Sequence, residues 1–344
     1  QLAVIQIIGA QPGSGKTSLA GALLLHRSET GQSTGYSKPL SDSPDRDPDA
    51  SFVSEMLLSG PNDPPVPTPQ QLPSLPGSAL DPSLAGQIKR DVTQLEAAAG
   101  LVLLESPDLE RTGGGASPLP LDLASLVDSR VLLLFRYTED LNAGAILTAS
   151  QPFGDRLAGI VVNGVTAYRG RDVNQNLAAE ARAGGVPFLG ALPEDRAILA
   201  VTVQQIADYL GGRWAQEASQ TDASIERFLI GGNIMDLGQT YFGRYSNQAV
   251  ITGAGRPDIQ MASMLAGTRC LVLTGGTEPT EYVKAEALQR EVPLLLVEGN
   301  TLDTAEALGG LPQQANTHSM QKIRRFLHLM REHLDLDALT SAAA

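Results

Sequence analysis

The chain has 344 residues, 42% of them hydrophobic and 18% charged, with one cysteine and a formal net charge of −13. That length accommodates two domains with full cores, the acidic balance argues against a nucleic-acid-binding face, and no apolar run reaches bilayer-spanning length. The single cysteine, Cys270, excludes an internal disulfide, and no basic n-region precedes the first apolar run, so the chain reads as cytoplasmic, with no membrane partner.

The first predicted element is a strand, Ala3–Ile8, inside the run LAVIQIIGAQPGSGKTSL. A glycine loop follows at once, then Lys16, Thr17, Ser18 and helix-forming residues. Strand, glycine loop and helix in that order are what a Walker A phosphate loop requires. Gly13 and Gly15 let backbone N–H groups around Ser14 turn toward phosphate oxygens, and the helix start adds the positive end of its dipole. Lys16 is expected to reach the β and γ phosphates and Thr17 to hold magnesium. The pattern's first glycine is Ala10 here, at the edge of the loop.

A second strand, Gly35–Lys38, ends on Lys38, and Asp49 lies in DPDA just before a helix. The proline-rich run from Pro61 to Pro76 reads as an exposed loop or lid. After a helix at Leu84–Ala99, the strand Gly100–Glu105 closes on an acid. Further strands are predicted at Arg130–Phe135, Gly159–Asn163 and Pro187–Gly190, with a helix at Ala143–Ser150. Alternation of this kind predicts an α/β fold, a mainly parallel sheet with helices on both faces. Ligands of such sheets sit at the carboxyl ends of strands. There Lys38 and the carboxylates Asp49 and Glu105 are expected to meet the γ-phosphate and its magnesium.

The segment Gly211–Gln248 reads as a connection, with the domain boundary near residue 215. Strands at Ala249–Thr252, Cys270–Thr274 and Pro293–Val297 then predict a second, smaller α/β domain over 216–344. Its strand ends carry Gly255, Arg256, Gly275 and Gly276, an edge suited to an anionic ligand or to a copy of itself. A final helix, Ser319–Leu334, gathers Met320, Ile323, Phe326, Leu327, Met330 and Leu334 on one face, leaving Lys322, Arg325, His328 and Arg331 to a solvated one. The four histidines show no zinc-binding spacing.

On AQPGSGKT, GYSKP, DPDA, LLE and the IVVN strand, residues 1–210 resemble the dethiobiotin synthetase and cobyrinic acid diamide synthase group of P-loop proteins. They look most like the N-terminal domain of long phosphotransacetylases. The resemblance implies ATP and magnesium as ligands of Lys16, Thr17, Lys38, Asp49 and Glu105. It places Asn163 against the nucleobase and Pro193 beside it. The text after Glu105, SPDLERTGGG, is longer and bulkier than the group's small-residue loop, which sets the ligase acceptor pocket in question. From about residue 220, ITGAGRPDIQMA, LVLTGGTEPT and VPLLLVEGNT resemble the DRTGG domain. The ERTGG of Glu110 to Gly114 lies in the first domain and is taken as coincidence.

Three functions stay open on these residues. The favoured one is an ATP-binding regulatory protein or slow NTPase, phosphotransacetylase-like yet without acetyltransferase activity. The others are an ATP-dependent ligase that phosphorylates a carboxylate or carbamate, and a scaffold with a structural nucleotide. A homodimer or higher even homo-oligomer is expected. Residues 1–215 are expected to keep nucleotide binding when 216–344 are removed.

Overall fold

The computed structural model describes residues 3–73, 80–110, 118–232, 238–336 and 339. The end of the proline-rich run (74–76) and most of the Glu110–Gly114 stretch fall outside them. Two compact units divide the chain, Gln1–Glu194 with Thr317–Ala344, and Asp195–Asn316.

In the first unit, six strands form one parallel sheet. They are β1 (Ala3–Gly9), β2 (Gly35–Ser37), β3 (Leu101–Glu105), β4 (Arg130–Arg136), β5 (Leu157–Val165) and β6 (Phe188–Pro193), in the order β2-β3-β1-β4-β5-β6. Their near-continuous apolar runs suit strands covered on both faces, and LVLLE of β3 is buried at all five positions. One face packs Val4, Val102 and Leu104 against Ile88, Val92 and Leu95 of the helix Pro82–Ala98. The other packs Ile8, Leu133 and Val162 against Ile146 and Ala178. The order reverses direction at β1, so the crevice beyond its carboxyl end is the natural ligand site. Part of the proline-rich run is more than a loop, since Gln70–Gln71 pairs in parallel with Leu40–Ser41.

The second unit is a five-stranded sheet. Its strands are β7 (Arg213–Trp214), β8 (Arg227–Ile230), β9 (Gln248–Gly253), β10 (Cys270–Thr274) and β11 (Leu294–Val297), in the order β7-β11-β10-β9-β8, antiparallel only at β7. Both edge strands come from the segment read in sequence as a connection.

Two boundaries differ from the sequence reading. Residues 195–215 belong to the second unit, because Thr202 opens a helix, Val203–Leu210, with a capping box. That helix buries Val203, Ile206 and Ala207 beside Ile251 and Val272. The pair Gly211-Gly212 therefore marks a helix end, with Gly211 left-handed at φ 59°. At the other end, the helix Met320–His333 returns to the first unit. It buries Ile323, Phe326, Leu327, Leu329 and Met330. Ile323 lies 2.8 Å from where a Cβ on Gly21 would stand, and Arg331 donates to Glu29 at 2.6 Å. The basic face is thus not wholly solvated.

Candidate functional site

β1 delivers the chain into the loop Ala10–Gly15, and the helix α1 (Lys16–Glu29) begins at Lys16. Gly13 (φ 70°) and Gly15 (φ 97°) hold left-handed conformations that L-residues avoid. Ala10 keeps its place in the sheet, donating its N–H to Leu134 at 2.8 Å. The residue that must lack a Cβ is Gly9, whose Cβ position is filled by the Asp108 carboxylate and the Ser14 hydroxyl. The Ser14 Oγ is buried with no hydrogen-bond partner among the described residues, and Ser18 is buried in the first turn of α1. An orphaned hydroxyl in a glycine cradle suits a phosphate oxygen.

Lys16 forms an ion pair with Asp108, both side chains being largely buried. The loop after β3 is pinned beside β1 by Ser106 N–H donating to Ile7 (2.9 Å) and Leu109 N–H donating to Gly9 (2.9 Å). The buried amide of Gln6 anchors the same loop by donating to Ser106 Oγ at 3.1 Å. Those bonds bring Asp108 to the lysine. Its role escaped the sequence reading, which took the loop only as bulkier than the family's.

Thr17 Oγ1 donates to Glu105 Oε1 at 2.9 Å, and the buried Tyr36 hydroxyl donates to Oε2 at 2.9 Å. With its proton committed to Glu105, the Thr17 oxygen has lone pairs free for a hard cation. Burial, with Asp49 nearby, raises the Glu105 carboxyl above its usual range, against the opposing pull of Lys38, Lys16 and Thr17. Burial likewise raises the Tyr36 phenol, reinforced by Glu105.

Lys38 follows β2 and bonds Asp49 at 2.5 Å and Asp47 at 2.8 Å. Asp47 in turn caps the short helix Pro48–Phe52, accepting from Asp49 N (3.1 Å) and Ala50 N (2.9 Å). Burial disfavours the Lys38 charge, yet Glu105 and Asp49 outweigh it and hold the ammonium well above its ordinary value. Asp49 is disfavoured by burial too, but hydrogen bonding from His318 and the charge of Lys38 hold it well below the usual carboxylate range. The structure thus brings Lys16, Thr17, Lys38, Asp49 and Glu105 to one sheet edge. It adds Tyr36, Asp47, Asp108 and His318, which the sequence reading did not name as site residues. Among the described residues, no group of three or more His, Cys, Asp or Glu side chains is placed to hold a metal by itself.

Asn163 is the last residue of β5 paired with β4, and it donates from Nδ2 to the Ser14 carbonyl at 2.9 Å, bracing the phosphate loop. Pro193 ends β6 opposite Val165. In the second unit, Arg256 is exposed and holds Asp258 through two bonds of 3.0 and 2.8 Å. Gly275 (φ 94°) and Gly276 (φ 66°) turn the chain after β10. Their N–H groups donate to Gly299 and Val297, each at 3.0 Å, so both are spent on closing the sheet edge. No helix among the described residues is long and apolar enough to cross a membrane.

Residues 3–202 match the family model described as an AAA domain, and residues 205–311 match the DRTGG domain. Among solved structures, the chain is similar to the MinC:MinD cell division complex of Aquifex aeolicus, at 15% identity over 57% of this chain and 84% of that one, TM-score 0.39. It is also similar to the CBS and DRTGG domains of the regulatory region of Clostridium perfringens pyrophosphatase complexed with its activator, diadenosine tetraphosphate. That match has 16% identity over 36% of this chain and 53% of that one, TM-score 0.30, so the chain spans about half of that relative's length. A third similarity is to the signal recognition particle 54 kDa protein of Aeropyrum pernix K1 in complex with GDP, at 15% identity over 55% and 41%, TM-score 0.37. With a matched segment covering more than half of its length, the chain belongs to the AAA-domain family, as an α/β P-loop domain joined to a DRTGG domain.

Proposed function

We propose that the chain binds ATP with magnesium and works as a regulatory nucleotide-binding protein with slow turnover at most. The Lys16–Asp108 pair carries this reading. The loop that shapes an acceptor pocket in the resembling ligases here sets an acid against the phosphate-binding lysine. Lys16 would exchange that acid for phosphate, and the Gly13–Gly15 backbone and Ser14 hydroxyl would cradle the anion. Thr17, Glu105 and Asp49 form an all-oxygen donor set suited to magnesium, which takes one or two carboxylates alongside nucleotide phosphates. Bound there, the ion would neutralise phosphoryl charge. Lys38 would set a second cation near the terminal phosphate. Asn163, which braces the loop, and Pro193 would border the base.

The ligase reading keeps one support: Lys38, Asp49 and Glu105 converge as phosphoryl transfer requires. Isothermal titration with ATP, ADP and GTP, followed by a phosphate-release assay, separates the readings. Lys16→Ala should abolish the thermal stabilisation by ATP, which at a hundred times the dissociation constant amounts to about 2.7 kcal/mol. Glu105→Gln should keep ATP affinity within about tenfold and lose turnover. Undiminished stabilisation of the Lys16 variant would refute the site, and unchanged hydrolysis in the Glu105 variant would favour a scaffold. We further propose a homodimer or higher even oligomer in solution, with no nucleic-acid partner for so acidic a chain.

A further inference from the structure

The segment from Thr317 onward lies outside both matched families, which end at residues 202 and 311. Its first side chain of chemical interest reaches the phosphate-loop edge of the sheet. His318 Nε2 lies 2.7 Å from Asp49 Oδ1, while Lys38 Nζ holds the other oxygen, Oδ2, at 2.5 Å. The imidazole is fixed from two sides. Its ring lies against Phe52 with centroids 5.5 Å apart and planes tilted by 48°. Immediately after it begins the helix Met320–His333, anchored on α1 by Ile323 at Gly21 and Arg331 at Glu29. Phe326 of the same helix comes within 4.0 Å of the Cβ position of Gly15, in the phosphate loop itself. A histidine this firmly held serves as a rigid support for whatever it bonds.

We infer that His318 is a positioning residue for the nucleotide site, holding the Asp49 carboxylate in the orientation in which it meets magnesium. This inference rests on the magnesium-nucleotide reading above. Lys38 is the partner of Asp49 that phosphoryl charge would compete for. His318 carries no such competing role, so it is the contact that keeps the carboxylate in place. A carboxylate that must be re-ordered binds a hard cation less tightly, because Mg²⁺ demands near-ideal geometry from its oxygen ligands.

The test uses the full chain, with ATP and magnesium chloride as probes and thermal stabilisation as the readout. His318→Leu keeps apolar contact with Phe52 and removes the hydrogen bond, whereas His318→Gln keeps a side-chain donor. The leucine variant should need about tenfold more magnesium for half-maximal ATP-dependent stabilisation, as loss of a hydrogen bond to a charged group commonly costs. Glutamine should restore the requirement to within about twofold. Stabilisation by ATP in EDTA should be the same in all three proteins. A leucine variant with the wild-type magnesium requirement would overturn the inference, as would a glutamine variant as impaired as leucine. Failure of His318→Leu and of a substitute His318→Ala to fold, seen by circular dichroism, would make the residue structural and overturn it too. A wild type whose ATP stabilisation ignores magnesium would instead sink the underlying reading.

Discussion

Lys16 sits in a pair that the proposed nucleotide would have to break. The Asp108 carboxylate, only 12% exposed, would compete with a bound phosphate for the ammonium. Asp108→Asn removes the competing charge and keeps the shape, so ATP should bind several-fold more tightly, up to about tenfold, which corresponds to about 1.4 kcal/mol. Isothermal titration reads this directly, and weaker binding would show that Asp108 supports the nucleotide. Glu105 was legible in the sequence because an acid closing an apolar strand is placed by the strand itself. Asp108 was not, because hydrogen bonds from its loop to Ile7 and Gly9 place it, and no periodicity encodes those. His318 was less legible still, being 269 residues from its partner Asp49. Cys270 shows the opposite case, a reactive residue type made inert by its setting. Burial in β10 pushes its thiol up to about 12, so the thiolate is scarce at neutral pH. A thiol reagent such as DTNB should leave the native protein untouched and titrate one group per chain in guanidinium. Rapid native labelling would contradict its burial.

At the scale of elements, the helix Met320–His333 shows what an amphipathic pattern does and does not specify. Its apolar spacing at Ile323, Phe326, Leu327 and Met330 demands a covering surface, and the structure buries all four. Nothing in that spacing says which surface, and chain order suggests the nearer, second sheet. The docking is settled by shape instead. Gly21 leaves room for Ile323 on α1, and Gly190 of β6 lets the helix end approach the sheet. A Cβ on Gly190 would stand 2.6 Å from the His333 carbonyl oxygen, and a backbone atom cannot swing aside as a side chain can. Gly190→Ala should therefore destabilise the chain by about 1–3 kcal/mol, the usual cost of overpacking. Denaturant titration measures it, and an unchanged midpoint would mean that this end of the helix is loosely held. The edge strands Arg213–Trp214 and Arg227–Ile230 were illegible for a different reason. They are short and not fully buried, so neither carries the apolar run that betrays the central strands of the same sheet.

At the scale of the whole molecule, the chain leaves the first unit after Glu194 and re-enters it at Thr317, so the second unit is an insertion rather than an appendage. Truncation and excision then have opposite consequences. Ending the chain after Ala215 removes the helix that covers α1 and, with it, five buried apolar side chains. Each is worth about 1.5–3 kcal/mol when fully buried, and their sum rivals the roughly 5–15 kcal/mol of a typical domain's stability. The truncated protein should aggregate or melt without cooperativity, and ATP should not rescue it. Replacing residues 196–315 with a flexible glycine-serine linker keeps both parts of the first unit. Loop closure costs little here, since each doubling of loop length adds only about 0.6 kcal/mol. That excised protein should fold and still gain thermal stability from ATP with magnesium. Parallel melting curves, with and without nucleotide, decide between them. If the chain ending at Ala215 binds ATP as well as the excised one, the C-terminal helix is dispensable. His318 would then have no part in the site.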